Sequence, residues 1–232
     1  MTDPWNSFDP SQLPLFAAIV GIELPVDEYE IAPGLKIARA YIDMFGIPMM
    51  SFGAPAKPGA VHPGPWVAVR GTSNFESRAE LQLSTELASD IPPRSIIWLI
   101  AALLRIHFHT PIRVPVLGNM SFRSMAEHHK KALGHSFEAA PNQVGLFYGQ
   151  CATISEHGLN ALRDTYPKLL RLSTNELFSR TLTIFDEASW MRSIEQSTSL
   201  IWTALETVFG LSAARSKARV LARSVADFLR DN

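Results

Sequence analysis

The sequence has few of the features that place a protein outside the cell's reducing interior or in a membrane. Its single cysteine, Cys151, cannot form an internal disulfide, so a reducing compartment is expected. The first ten residues lack the basic and apolar segments of a signal peptide. The longest apolar run, Ile96–Leu104, is much shorter than the about 20 residues that cross a membrane. We therefore expect a cytoplasmic protein without membrane contact.

An excess of charge of one sign is also missing. Lysine and arginine number 21, and aspartate and glutamate 22, for a net charge of −1 at pH 7. This balance argues against a chain-wide attraction to nucleic acid, although a local basic face remains compatible with it. The chain contains no glycine-rich phosphate loop, no G-x-S-x-G elbow and no carboxylate pair at glycosidase spacing. No cofactor is therefore predicted.

Proline is scarce in the second half of the chain. Of the 16 prolines, all but Pro141 and Pro167 lie at or before Pro115. Because proline withdraws a backbone donor and breaks helices, the first half should consist of strands, turns and loops, while the second half can be helical. The sequence thus predicts an α+β protein with a mixed region at 1–150, which holds a small sheet and a buried helix, and a helical bundle at 151–232.

Within the first region, residues 1–21 are predicted to form a loosely attached arm with a short helix at Leu13–Val20. Strands are predicted around 35–42 and at 66–70, 75–87, 112–117 and 144–148, and Pro115 favours an edge position for the fourth of these. The segment that follows Asp90, with Pro92 and Pro93 in its first turn, should begin a helix through Ile106. This helix is apolar on nearly every side, so it should be buried.

The second region should be organised around the helix at Met191–Phe209. Ile201, Leu205 and Val208 recur there at helical spacing, which indicates the inner seam of a helical pack. Helical spacing also predicts a helix at 173–190, and one or two helices between 153 and 172, interrupted by Pro167. The final helix, Ala213–Leu229, is amphipathic and basic.

Three of these pieces, in this order, resemble the Apea-like HEPN proteins. They are the apolar helix ending in Leu103–Ile106 with the strand after it, the string W-x-A-L-E-x-x-F from Trp202 to Phe209, and the basic helix Ala213–Leu229. The resemblance implies a HEPN-like helical bundle, RNA cleavage without a metal ion, a role in defence against phage, and a homodimer. It also makes Glu206, the carboxylate of the string, a candidate residue in the bundle interior or at the edge of the site.

HEPN ribonucleases resemble one another in an R-x(4–6)-H motif. Its histidine can transfer protons near neutral pH, and its arginine can hold the phosphate as charge develops. In the family this motif follows the helix that matches Ala213–Leu229, whereas the present sequence ends at Asn232. We therefore expect a truncated or shortened form without the catalytic end. One R-x4-H string, Arg123 to His128, lies before the predicted bundle and is a catalytic candidate; a solvated turn is the alternative.

Two other groups of residues bear on function. Arg215, Arg219 and Arg223 are four apart and would line one side of a helix, where they could bind the RNA backbone or form a solvated face. The histidines invite a zinc site, but no acidic or cysteine partner lies at standard spacing, so no metal is predicted. The clustered histidines are His107, His109, His128, His129 and His135.

The sequence leaves two main hypotheses and a weaker third. The first is a HEPN-like protein associated with RNA cleavage. The second is a non-catalytic sensor or interaction module that dimerises through its helical region, and the missing motif favours it. The third is a small-molecule enzyme that uses the histidines.

Overall fold

A computed structural model provides the fold, and it describes residues 8–44, 75–108, 112–125, 131–138, 152–188, 190, 191 and 193–209, with helical positions at 220, 222–224, 226, 227 and 230. Its strands are β1 Leu15–Ile19, β2 Ile22–Glu23, β3 Glu28–Ala32, β4 Leu35–Met44, β5 Phe75–Leu83, β6 Val116–Gly118, β7 Gly134–Ser136 and β8 Ala152–Thr153. Its helices are α1 Pro93–Phe108, α2 Phe122–Met125, α3 Glu156–Ser173, α4 Glu176–Ala188 and α5 Ile194–Val208. The predicted strands at 66–70 and 144–148 lie outside the described residues.

The fold is mixed α+β, as predicted. Six strands form an antiparallel sheet in the order β3-β4-β5-β1-β6-β7, and β2 and β8 form a short parallel pair. Gly34 makes the turn between β3 and β4 with a φ of +78°, a conformation that side chains disfavour. None of the described helices combines the length and apolarity that a membrane crossing requires.

The predicted helix at Leu13–Val20 is wrong, because these residues contain β1, a central strand of the sheet. Leu15, Ala17 and Ile19 enter the main core, while Ala18 packs against the opposite face of the sheet. With both faces covered, the strand is a continuous apolar run, and such a run cannot be distinguished from a short helix by its period. The expected loose arm is therefore, from Leu15 to Ile19, part of the fold's centre.

The edge position predicted from Pro115 is also wrong. The strand β6 begins just after this proline and lies between β1 and β7. Pro115 uses its carbonyl oxygen, which accepts a hydrogen bond from the Phe137 amide at 3.0 Å, so the missing proline donor is not needed there. The sequence shows that a proline lacks an amide donor. It does not show whether the neighbouring strand has an acceptor that needs this donor.

The helix α1 is buried, as predicted, and covers one face of the sheet. Nine of its residues, from Ile96 to Arg105, are buried. The helix α3 packs beside it and remains one helix through Pro167. Apolar residues of α3 and α4 belong to the same core cluster as the sheet; they are Leu159, Leu162, Tyr166, Leu169 and Leu182. The division at residue 150 stays a prediction, and buried contacts connect its two sides.

The hydroxyl of Tyr166 gives the first test. Tyr166 is 3% exposed, and its hydroxyl has no hydrogen-bond partner in the part of the chain that the structure describes. Burial also raises the pKa of this hydroxyl. Because an unsatisfied buried hydroxyl costs free energy, we expect Tyr166→Phe to raise the free energy of unfolding by about 1 kcal/mol, measured by urea denaturation.

Tyr29→Phe is the matched control. The Tyr29 hydroxyl donates to Asn160 Oδ1 at 2.7 Å, so its removal should lower stability by about 0.5–1 kcal/mol. Equal losses of stability in the two variants would contradict the assignment.

Candidate functional site

The helix α5 is the element with the most open apolar surface. Ser193 begins it by accepting a hydrogen bond from the Gln196 amide at 3.3 Å, and the helix packs on α4. Of its residues, only Ala204 is buried. Ile194 is 82% exposed, Trp202 41% and Val208 49%, so α5 leaves three large apolar side chains open to solvent beside exposed polar ones.

This exposure corrects the prediction that Ile201, Leu205 and Val208 form the inner seam of a helical pack. The helix at 191–209 is confirmed as a helix, but Ile201 and Leu205 are only half-buried and Val208 is exposed. The stripe is wide because it includes both a face against α4 and a face toward solvent. A helical period reports that apolar residues share a side, and it does not report that the side is covered.

Glu206 lies on the surface of α5, where its Oε1 accepts a hydrogen bond from Trp202 Nε1 at 2.8 Å. The two residues are one helical turn apart, so the contact is local. Glu206 is half-buried, and its placement in a bundle interior or at a site edge stays a prediction. A role for Glu206 in chemistry stays a prediction.

Arg123, the arginine of the R-x4-H string, is held by the main chain. It lies on α2, which packs on β4, and its Nε donates to the Arg39 carbonyl oxygen. Its Nη2 donates to the Asp27 carbonyl oxygen at 3.0 Å. The guanidinium therefore ties α2 to the β3–β4 side of the sheet, while α5 packs elsewhere, on α4. His128 lies outside the described residues.

A buried carboxylate, that of Glu80, also holds α2 against the sheet. It is 0% exposed on β5, and it accepts hydrogen bonds from the Ser121 hydroxyl at 2.6 Å and the Phe122 amide at 2.8 Å. Gln82 Nε2 donates to it at 2.7 Å. Three donors satisfy the buried carboxylate, two of them at the start of α2, where a negative charge is favourable. Glu80 thereby positions the segment that carries Arg123.

Of the three arginines predicted to bind RNA, the structure describes only Arg223. It is exposed at a helical position after α5, as a contact with a phosphate would require. Arg215 and Arg219 lie outside the described residues, so their common face stays a prediction.

Among the described residues, no group of three or more histidine, cysteine or acidic side chains could hold a metal ion. His107 packs its ring against Phe108 with the ring centroids 6.1 Å apart. His109, His128 and His129 lie outside the described residues.

An ionic cluster around Arg105 was not predicted. Arg105 is 6% exposed, and its Nη1 donates to Asp186 Oδ1 at 2.8 Å and to Asp186 Oδ2 at 2.9 Å. Its Nη2 donates to Glu138 at 2.5 Å, and its Nε donates to the Ile112 carbonyl oxygen at 2.7 Å. The ring of Trp190 lies 4.7 Å from the guanidinium carbon. One side chain thus connects α1 with α4 and with the segments beside β6 and β7.

Further contacts complete this cluster. Trp98 Nε1 donates to Asp186 Oδ2 at 3.2 Å, and the Val114 amide donates to Glu138 Oε2 at 2.6 Å. Burial lowers the pKa of Arg113, and the nearby Glu138 charge acts against this. A signal for the cluster existed in the sequence, because an arginine inside an apolar, buried helical segment needs polar partners when it is desolvated. Which carboxylate supplies it could not be read from the sequence.

Comparison with models of protein families, with curated proteins and with solved structures finds no significant match to this chain.

The ion pair between Arg105 and Asp186 gives the second test. Asp186→Ala leaves a buried guanidinium without its bidentate partner, so we expect the free energy of unfolding to fall by about 3–5 kcal/mol in urea denaturation. Glu187→Ala, at the exposed neighbouring position, should change it by no more than about 0.5 kcal/mol. A loss at Asp186 no larger than that of the control would mean that the pair does not hold α4 in place.

Proposed function

We propose that this chain is a HEPN-like, non-catalytic interaction protein of the cytoplasm that forms a homodimer through the outer face of α5. The observation that carries the proposal is that α5 buries only Ala204 and leaves Ile194, Trp202 and Val208 open to solvent. Large apolar side chains that a helix leaves exposed can mark a surface that binds a partner. A second copy of the chain is the occupant that we propose for this face.

The contacts of Arg123 favour the non-catalytic form. A catalytic arginine must direct its donors at a phosphate. Arg123 directs Nε and Nη2 at the carbonyl oxygens of Arg39 and Asp27 instead. A phosphate bound by Nε and Nη2 would have to break these bonds, and α2 would lose one of its two ties to the sheet. This geometry does not support RNA cleavage by Arg123 and His128.

An RNA-associated function is the second candidate, and the exposed Arg223 favours it. If Arg215 and Arg219 share its helix face, three cations would line one side of that helix, where they could follow an RNA backbone. RNA binding and self-association are compatible, since a pair of helices would double the number of basic side chains presented to one RNA. The association with phage defence implied by the HEPN resemblance belongs to this candidate.

Ile194→Lys tests the self-association. We expect the wild-type chain to form dimers in sedimentation-velocity experiments as its concentration rises, and the variant to remain monomeric, because a buried lysine opposes association. Leu172→Lys on α3 is the control, since Leu172 is 43% exposed on another helix. Dimerisation should persist in this control. A wild-type chain that stays monomeric at every concentration would overturn the proposal.

Charge reversal tests the RNA candidate. We expect the triple variant Arg215→Glu, Arg219→Glu and Arg223→Glu to lose RNA binding in fluorescence anisotropy, and wild-type affinity to fall steeply with salt. Arg180→Glu, at an exposed position of α4, should bind like the wild type. Labelled RNA should stay intact with the wild type and with Arg123→Lys. Cleavage by the wild type that Arg123→Lys abolishes would instead favour the nuclease hypothesis.

A further inference from the structure

The helices α4 and α5 are joined by residues 189–193 and pack on each other, so they form a helical hairpin. We call this pair the α4–α5 hairpin. From α4, Leu182 is buried in the main core, and the half-buried Phe178 packs against that core. None of the described residues of α5 belongs to this core. The hairpin is therefore attached to the rest of the fold through α4.

The near end of the hairpin is a short junction with α3. Thr174 ends α3, and Asn175 begins α4 by accepting a hydrogen bond at Oδ1 from the Phe178 amide at 3.1 Å. A change in the backbone dihedrals of Thr174 would break the bond from the Asn175 amide to the Leu172 carbonyl oxygen, while the bonds within α4 would remain. The junction is thus suited to act as a hinge.

Polar contacts hold the far end of α4 to α1. Asp186 lies about 15 Å along α4 from Glu176. Both of its oxygens accept hydrogen bonds from Arg105 Nη1, at 2.8 and 2.9 Å, and Oδ2 also accepts one from Trp98 Nε1 at 3.2 Å. Just after α4, the ring of Trp190 lies 4.7 Å from the Arg105 guanidinium carbon. One carboxylate and one ring thus fasten the hairpin to α1.

We propose that the α4–α5 hairpin is a hinged arm that leaves α1 as one unit by turning at Thr174, and that the Arg105–Asp186 ion pair is the latch that keeps it docked. The structure shows the docked form. In the open form the sheet, α1 and α3 remain folded. The proposal goes beyond the proposed function and does not depend on what α5 binds.

Few groups lose their partners when the latch opens. Arg105 would keep its ion pair with Glu138 at 2.5 Å and its hydrogen bond to the Ile112 carbonyl oxygen at 2.7 Å. The Asp186 carboxylate and the Trp98 indole would pass to water, and their hydration offsets much of the attraction that is lost. A polar latch can therefore open at a lower cost than its number of bonds suggests.

The apolar part of the attachment is small. Leu182 is the hairpin's one described residue among the buried members of the main core, and the others come from residues 15–169. Because the free energy of a local opening rises with the apolar area that it exposes, separating α4 should cost less than unfolding the sheet. The hairpin is then the least stable cooperative unit of the described fold.

Opening of the hairpin would change the surface that the chain presents. Ile194, Trp202 and Val208 would move away from the sheet together with α5, and the side of α4 around Leu182 would become accessible. A partner that contacts this side of α4 would favour the open form, since a ligand shifts a conformational equilibrium toward the state that it binds better. The latch thereby couples binding at α4 to the position of α5.

Native-state hydrogen exchange of the full chain, followed by mass spectrometry, tests this inference with two variants that act differently. Separate helices of 13 and 15 residues are marginal in water, so the amides of the hairpin should exchange whenever it opens. Ile37→Val weakens the core of the sheet, which stays folded in the open form. It should therefore speed exchange in β4 and β5 about fivefold and leave residues 176–208 unchanged.

Asp186→Asn keeps the size of the side chain and removes the negative charge of the latch. Because a hydrogen bond to a charged group is lost in the docked form, we expect both α4 and α5 to exchange about tenfold faster. Glu187→Gln, at the exposed neighbouring position, should exchange like the wild type. Trp98→Phe removes another bond to Asp186 and should also speed exchange of the hairpin, which keeps the test decisive if Asp186→Asn fails to fold.

Three results would overturn the inference. If Ile37→Val speeds exchange of residues 176–208 as much as that of the sheet, the hairpin opens only with global unfolding. If Asp186→Asn and Trp98→Phe leave the exchange of the hairpin unchanged, the ion pair is not its latch. If only α5 responds to these two variants while α4 stays protected, α5 frays alone and the hairpin is not one unit.

Discussion

The guanidinium of Arg105 connects α1 with α4 and with the segments beside β6 and β7. It forms ion pairs with Asp186 on α4 and with Glu138 beyond β7, and its Nε donates a hydrogen bond to the Ile112 carbonyl oxygen. The contacts of the main core are apolar and non-directional, so they restrict a rotation of α4 against α1 less than directional bonds do. Hydrogen bonds are directional, so the ion pair restricts that rotation. We infer that the cluster contributes orientation more than net stability, because desolvation offsets much of the attraction in a buried ion pair.

The two faces of the sheet bury different kinds of side chain. The face toward α1 and α3 is apolar, and it holds the largest buried side chains. The opposite face combines a small apolar cluster around Phe122 with the buried carboxylate of Glu80. Because the donors to Glu80 come from the first residues of α2, this short helix is positioned by hydrogen bonds. Arg123 adds a second tie from α2 to the sheet, and its exposure therefore does not make it free to act on a substrate.

Among the described helices, α5 has the most large apolar side chains exposed to solvent. The helices α1, α3 and α4 bury residues in the main core, and the Arg105 cluster anchors α4 through Asp186, whereas α5 packs mainly on α4. Its outer face is then available to a partner without disturbing the core. This separation is the physical basis of the proposed function, in which the sheet and α1 supply stability and α5 supplies recognition.

The sequence by itself determined the mixed α+β class, the burial of α1, a helix within 191–209 and a strand within 75–87, because each depends on local composition and period. The tertiary structure alone decided that Leu15–Ile19 is a central strand, since a run covered on both faces has no distinguishing period. It alone decided that Val208 faces solvent, that Arg123 binds main-chain oxygens, and that Arg105 reaches Asp186, 81 residues later. Local patterns report which residues share a side, whereas the partner of that side comes from distant parts of the chain.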